Sequence, residues 1–129
     1  MIRQGKHGRA KNYKNMGDKR IIGLIEPIVI YSAKGESEVI ARIDTGATKS
    51  SIDFKLAADL GMGPIIKTRF IKSASGNALR PVVKARIKIA GKTLEAEFTL
   101  ADRSHMKYKA LIGHNVLLNN DFLIDPNKQ

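Results

Sequence analysis

From Ile21 onward, short apolar runs and strictly alternating segments follow one another, each bounded by turn-forming residues. The run "IIGLIEPIVIYS" is rich in β-branched residues and punctuated by Pro27, which predicts a short first strand and a second across Ile28–Ser32. "AKGE" turns around Gly35 and leads into a strand over Val39–Ile43. Ser51 to Leu60 reads as a short helix, stopped by Gly61, Gly63 and Pro64. Two extended runs then flank "SASGNA", whose small residues around Gly76 predict a mobile hairpin tip. In the next hairpin Val83, Ala85, Ile87 and Ile89 face one way and Lys84, Arg86 and Lys88 the other. After the Gly91-Lys92 turn, Leu94, Ala96, Phe98 and Leu100 continue the inward set. The last segment predicts a buried strand ending at Gly113, a helical turn over Asn115–Leu118 and a final strand over Phe122–Ile124. The expected class is all-β: a small closed barrel with one or two short helices.

Composition narrows the function more than the fold. A chain of 129 residues is expected to form one domain with a real core. It has no cysteine, which excludes disulfides, thiolate zinc sites and cysteine nucleophiles and is compatible with the cytoplasm. No segment approaches the ~18 consecutive apolar residues that cross a bilayer. No apolar stretch with a cleavage site follows the basic N-terminus, so a soluble, cytoplasmic protein without membrane contact is expected. The net charge of +11 is uneven: residues 1–20 hold seven Lys/Arg against one Asp and show no apolar periodicity. They predict a flexible basic tail ahead of a domain over residues 21–129. Such a tail either grips a polyanion by counterion release or serves as a solvated extension. The charge left on the domain favours acidic partners.

One stretch carries candidate chemistry. "ARIDTGAT", Ala41–Thr48, places Asp44-Thr45-Gly46 at the end of an apolar strand. Asp and Gly are common in ordinary β-turns, and a tripeptide alone favours that reading. Its surroundings shift the balance: Ala47 stands where a turn would carry a polar residue, and Leu111-Ile112-Gly113 follows about 67 residues downstream.

On these residues the sequence resembles the retropepsin-like aspartic proteases over most of residues 24–126. The likeness includes Asp44–Ala47, Ser51-Ile52, a flap-like hairpin around Ser73–Asn77, "IAGKTLEAEFTLAD" and "ALIGHNVLL". Through "IDTGATKSSID", "DRSHMKYKALIGHNVLL" and "FLIDPNK" it is similar to small prokaryotic proteins often labelled ATP-dependent zinc proteases and linked to glutamate-ligase systems. The resemblance implies an aspartic peptidase or amidase. Hydrolysis of an amide without a metal needs one group to deprotonate water and one to protonate the carbonyl. Two carboxyls sharing a proton do both. Only Asp44 is followed by Thr-Gly; Asp18, Asp53, Asp59, Asp102, Asp121 and Asp125 are not. The dyad therefore requires a homodimer, one Asp44 from each chain. Thr45 would then bond across the axis and Gly46 would let the substrate backbone approach. Ala47 and the flap residues Ser73, Ala74, Ser75, Gly76 and Asn77 would bind the substrate, expected to be a peptide, acidic in view of the charge.

The sequence departs from the family at His114, which stands where the family has Arg, and at Thr48, which replaces the acid that Arg often meets. Taken alone, His114 reads as a surface or capping histidine. His7, His105 and His114 lack the i, i+4 spacing of a zinc helix, and no Walker loop is present, so no metal and no cofactor is expected. Two rival functions use the same features: a catalytically silent module binding acidic peptides, and a nucleic-acid- or ribosome-associated protein acting through its basic surface. At 5% aromatic residues, a stacking platform for single strands is poorly supplied.

Overall fold

The computed structural model describes residues 19–73 and 76–128. Nine strands and two short helices follow in order: β1 (Arg20–Ile22), β2 (Ile25–Ser32), β3 (Gly35–Ile43), β4 (Ser50–Asp53) and α1 (Phe54–Leu60) come first. They are followed by β5 (Ile65–Ser73), β6 (Gly76–Ile89), β7 (Lys92–Ala101), β8 (Ala110–Ile112), α2 (His114–Leu117) and β9 (Phe122–Ile124). Strands β2-β3-β8-β4-β7-β6 form one sheet that closes into a six-stranded barrel where Ile28–Tyr31 of β2 pairs with Ile89–Arg86 of β6. The expected all-β closed barrel with two short helices is the observed fold.

Alternation builds the interior. Ile28, Ile30, Ile52, Ile87, Ile89, Phe98 and Ile112 are fully buried, and Val83 and Ala85 join them as expected, while Lys84, Arg86 and Lys88 stay in water. Leu94 and Leu100 pack against this core only in part. Thr99 and Ala101 are buried as well, because β7 is flanked by both β6 and β4, and Thr99 Oγ1 donates to Ser50 O at 3.1 Å.

β3 begins at Gly35 where Val39 was expected, α2 spans His114–Leu117 in place of Asn115–Leu118, and three further boundaries differ for a visible physical reason. β2 begins at Ile25 and runs through Pro27, which is tolerated because pairing with β6 starts only at Ile28, leaving Pro27 in the one-sided part of the strand. Ser51–Asp53, expected to be helical, extend β4 in pairing with β7. The helix starts after Asp53, whose Oδ2 caps it by accepting from Leu56 N at 3.2 Å, and stops at Gly61 in the left-handed region (φ 76°). Third, Arg20, assigned to the tail, opens β1: it pairs with Phe122 of β9 in a parallel two-stranded sheet and donates from its Nη1 to Ala90 O at 2.9 Å. The rest of the tail, residues 1–18, lies outside the described residues.

β6 serves two structures. Its first half pairs with β5 as a projecting hairpin (Ser73↔Gly76 to Ile65↔Val83), and its second half is a barrel stave.

Candidate active site

Asp44 follows β3 directly, on the loop that leads to β4. Its own N–H donates to Ile112 O at 2.9 Å, anchoring the loop to β8. The carboxylate is half-buried, and its Oδ1 accepts the Gly46 N–H at 2.9 Å, while Asp44 O accepts from Ala47 N at 3.2 Å. Two local bonds thus fold Asp44–Ala47 back on itself and present the carboxyl outward. Gly46 stands close to the acid: a Cβ there would lie 3.3 Å from Asp44 Oδ1.

The floor beneath this loop is Gly113. A Cβ at Gly113 would stand 2.7 Å from Ala47 O and nearer still to Lys49 O, so only glycine lets the two segments pass. Gly113 N donates to Ser50 Oγ at 3.0 Å. Ser50 Oγ donates to Asn115 Oδ1 at 2.7 Å, and Asn115 Nδ2 donates to Glu97 O at 2.9 Å. Ser50 is fully buried, so this chain of bonds satisfies polar groups that water cannot reach. His114 is no free surface residue: its N–H donates to Ala47 O at 2.8 Å and its Nε2 meets Thr45 O. Both ends of the Asp44 loop therefore rest on the start of α2. The residue replacing the family's arginine still braces this loop, through backbone carbonyls and not through an acid.

Beside Asp44 opens a cleft of about 380 Å³ lined by Arg42, Asp44, Arg103, Met106, Lys107, Tyr108 and Leu111. Arg42 reaches it by strand alternation: Ile43 points into the core, so Arg42 and Asp44 share the opposite face. Arg103 is placed by Asp53, whose Oδ1 accepts the Arg103 N–H at 2.8 Å while its Oδ2 caps α1. The Arg103 guanidinium donates from Nε and Nη2 to Tyr108 O at 3.2 and 3.0 Å, folding the β7–β8 loop over itself. Burial, and then the neighbouring Arg42 charge, push the Arg103 pKa below its ordinary value, opposed by Asp44 and Asp53. The group remains a cation at any ordinary pH. Leu111 and the segment around Arg103 entered the sequence reading as motif residues, and neither arginine was assigned to the site. Arg42 could have been, by counting two back from Asp44; Arg103 is brought in only by the fold.

The expected flap corresponds to the β5–β6 hairpin, where Ser73 pairs with Gly76 and Lys72 with Asn77; Ala74 and Ser75 lie outside the described residues. Neither Gly76 nor Asn77 is among the residues lining the Asp44 cleft. The hairpin is tethered by Glu97 of β7, which pairs with Lys67 at 3.1 Å and Arg69 at 3.5 Å of β5, across β6. The Lys67 hydrogen bond, with the charges of Lys67 and Arg69, holds Glu97 below its ordinary value of 4.5 against a smaller effect of burial. Since the folded-state pKa is depressed, this tether is fully present above pH ~4.5 and is lost as the pH falls through the lowered value. Protease nicking of β5 is therefore expected to increase below that pH, and to become pH-independent in Glu97→Gln.

Among the described residues, no group of three or more His, Cys, Asp and Glu side chains is placed to hold a metal, and no helix is long and apolar enough to cross a membrane. His7 lies outside the described residues.

A family model described as the retropepsin-like aspartic endopeptidase RimB matches residues 62–129, a segment that begins after Asp44. Similar curated proteins include probable alpha-L-glutamate ligases of Shewanella pealeana and Shewanella halifaxensis, 29% and 30% identical over 138 residues. The alignments cover 88% of this chain and 30% of each relative, so the chain spans less than a third of their length. Neither the family's name nor the relatives' bears out the zinc-protease label. Among solved structures, protein Lpg0085 of Legionella pneumophila is 20% identical (TM-score 0.60), covering 85% of this chain and 95% of that one. The simian foamy virus protease is 25% identical (TM-score 0.52; 69% and 86% covered), and the EIAV protease 20% (0.59; 78% and 86%). With more than half of its length matched by that family model, on a barrel it shares with retroviral proteases, the chain belongs to the RimB-like family of retropepsin-like aspartic endopeptidases.

Proposed function

We propose that the protein is an aspartic peptidase that works as a homodimer, with Asp44 of each protomer contributing one carboxyl to a water-activating dyad. The observation that carries this reading is the composition of the Asp44 cleft. Among the described residues its lining holds one carboxyl, Asp44, and the other charged side chains there are cations, which supports a second acid supplied by another chain. One carboxylate takes the proton of water while its protonated partner donates to the carbonyl oxygen; the two exchange roles as the amide breaks. Thr45 bonds across the two-fold axis, and the β5–β6 hairpin closes over the bound chain. The substrate is a peptide rich in acidic residues. The net charge of +11 supports this, as does the likeness to part of proteins named for ligating glutamate. The basic residues 1–20 add salt-sensitive affinity for the same kind of polyanion.

Sedimentation over a wide concentration range, with and without an acidic peptide, tests the assembly. A dimer that strengthens with peptide is expected. Monomers under all conditions would remove the dyad and leave a module that binds peptides without cutting them.

A further inference from the structure

Arg42 and Arg103 face one cleft without a carboxylate partner. The ion pairs among the described residues involve Lys19, Lys55, Lys67, Arg69, Lys92 and Lys128, and neither of these two arginines. Arg103 is 8% exposed, and three of its five N–H donors are spent on Tyr108 O and Ser51 Oγ. Two donors remain for a ligand. The Arg42 side chain makes no hydrogen bond with another described residue and lies near the like charge of Arg103, a repulsion that Asp44 in the same cleft offsets in part and a bound anion would relieve further. Lys107 sits at the rim, its ammonium 5.5 Å from the Tyr108 ring centre. Met106, Tyr108 and Leu111 supply apolar wall, suited to a short methylene stem.

We propose that Arg42 and Arg103 form, within each protomer, a subsite that takes one acidic side chain of the substrate next to the bond to be cut; this rests on the peptidase reading above. Arg42 leaves β3 two residues before Asp44, so the bound carboxylate is fixed at the scissile position and not somewhere along the chain. A two-fold dimer carries the subsite twice, once on each side of the dyad. The selected bond is therefore one flanked by acidic residues on both sides, and the Arg pair acts as a forked clamp that sets the register of the cut.

Peptides identical except at the flanking pair (Glu-Glu, Glu-Gln, Gln-Glu, Gln-Gln) test this with the full chain. Wild type should show a kcat/KM ratio of Glu-Glu over Gln-Gln of roughly a hundredfold, with the mixed peptides between, as charge-assisted hydrogen bonds warrant. Arg42→Gln should lower that ratio at least tenfold, and Arg42→Glu further; Arg42 is exposed, so both variants should fold. A ratio near one in wild type, or one unchanged in Arg42→Gln, would overturn the subsite while leaving the peptidase reading standing. If wild type cleaves nothing, the peptidase reading fails, and calorimetric titration of Asp44→Asn with the Glu-Glu peptide still decides the pocket. Binding that Arg42→Gln removes in that background supports it, and binding indifferent to Arg42 refutes it.

Discussion

Asp44→Asn is expected to leave the barrel folded and to lower peptide hydrolysis by about 10⁴-fold, the upper range for loss of a general acid–base group. The substitution changes almost nothing in shape. Asparagine can keep its oxygen on the Gly46 N–H, so the turn through Ala47 survives. What it cannot do is take a proton from water at ordinary pH. In a homodimer the change falls on both sides of the axis at once, so no half-active dyad remains. Wild-type activity should be unaffected by EDTA, because two carboxyls do the work without a metal. Circular dichroism and a cleavage assay on the same two preparations read both halves of the expectation. Equal cleavage by wild type and variant would refute the aspartic mechanism, and loss of wild-type cleavage on chelation would point to a metal.

Gly113→Ala should be nearly as damaging, by a different route. The added methyl meets the carbonyl oxygens of Ala47 and Lys49, which are backbone atoms and cannot rotate away. Either β8 retreats, breaking the bond from Gly113 N to buried Ser50, or the Asp44 loop lifts off its floor. Overpacking of this kind costs roughly 1–3 kcal/mol, and the orphaned Ser50 network adds to it. A denaturant titration should show the lost stability. The fraction still folded should also cleave more slowly, because Asp44 N is tied to Ile112 O one residue away from the lesion. Full activity in a destabilised Gly113→Ala would show that the floor does not position the carboxyl.

How much of this was legible in the chain depends on the range of the interaction. Val83, Ala85, Ile87 and Ile89 announced their stave because a period of two is local and their partners lie a short turn away. Phe122–Ile124 was placed to the residue on the strength of three apolar positions alone. Ser51–Asp53 misled because an alternation of small polar and apolar residues fits a first helical turn as well as a strand; parallel pairing with β7, about 48 residues away, decides it. Arg103 was invisible for the same reason. Its sequence neighbours make it an ordinary loop cation; Asp53, 50 residues earlier, anchors its backbone N–H, and Tyr108 O with Ser51 Oγ holds the guanidinium. His114 read as a capping residue because a histidine's partner cannot be seen from its own surroundings, and here the partner is the Thr45 carbonyl. The flap illustrates a further limit. Gly76 marks the tip in the sequence, but not its backbone conformation: its φ of 125° lies beyond what a pyrrolidine ring permits, so Gly76→Pro would rebuild the turn and not stiffen it.

The shared strand β6 makes the hairpin a cantilever. Val82 to Ile89 is clamped along one side by β7, and from Ile89 back to Arg86 on the other by the barrel seam with β2, while Asn77 to Pro81 pairs, among the described strands, with β5. A beam held this way bends at the edge of its clamp. That edge coincides with Pro81 and with the irregularity in β5 between Ile65 and Lys67, so the pivot of the arm is built from backbone that has already given up regular pairing.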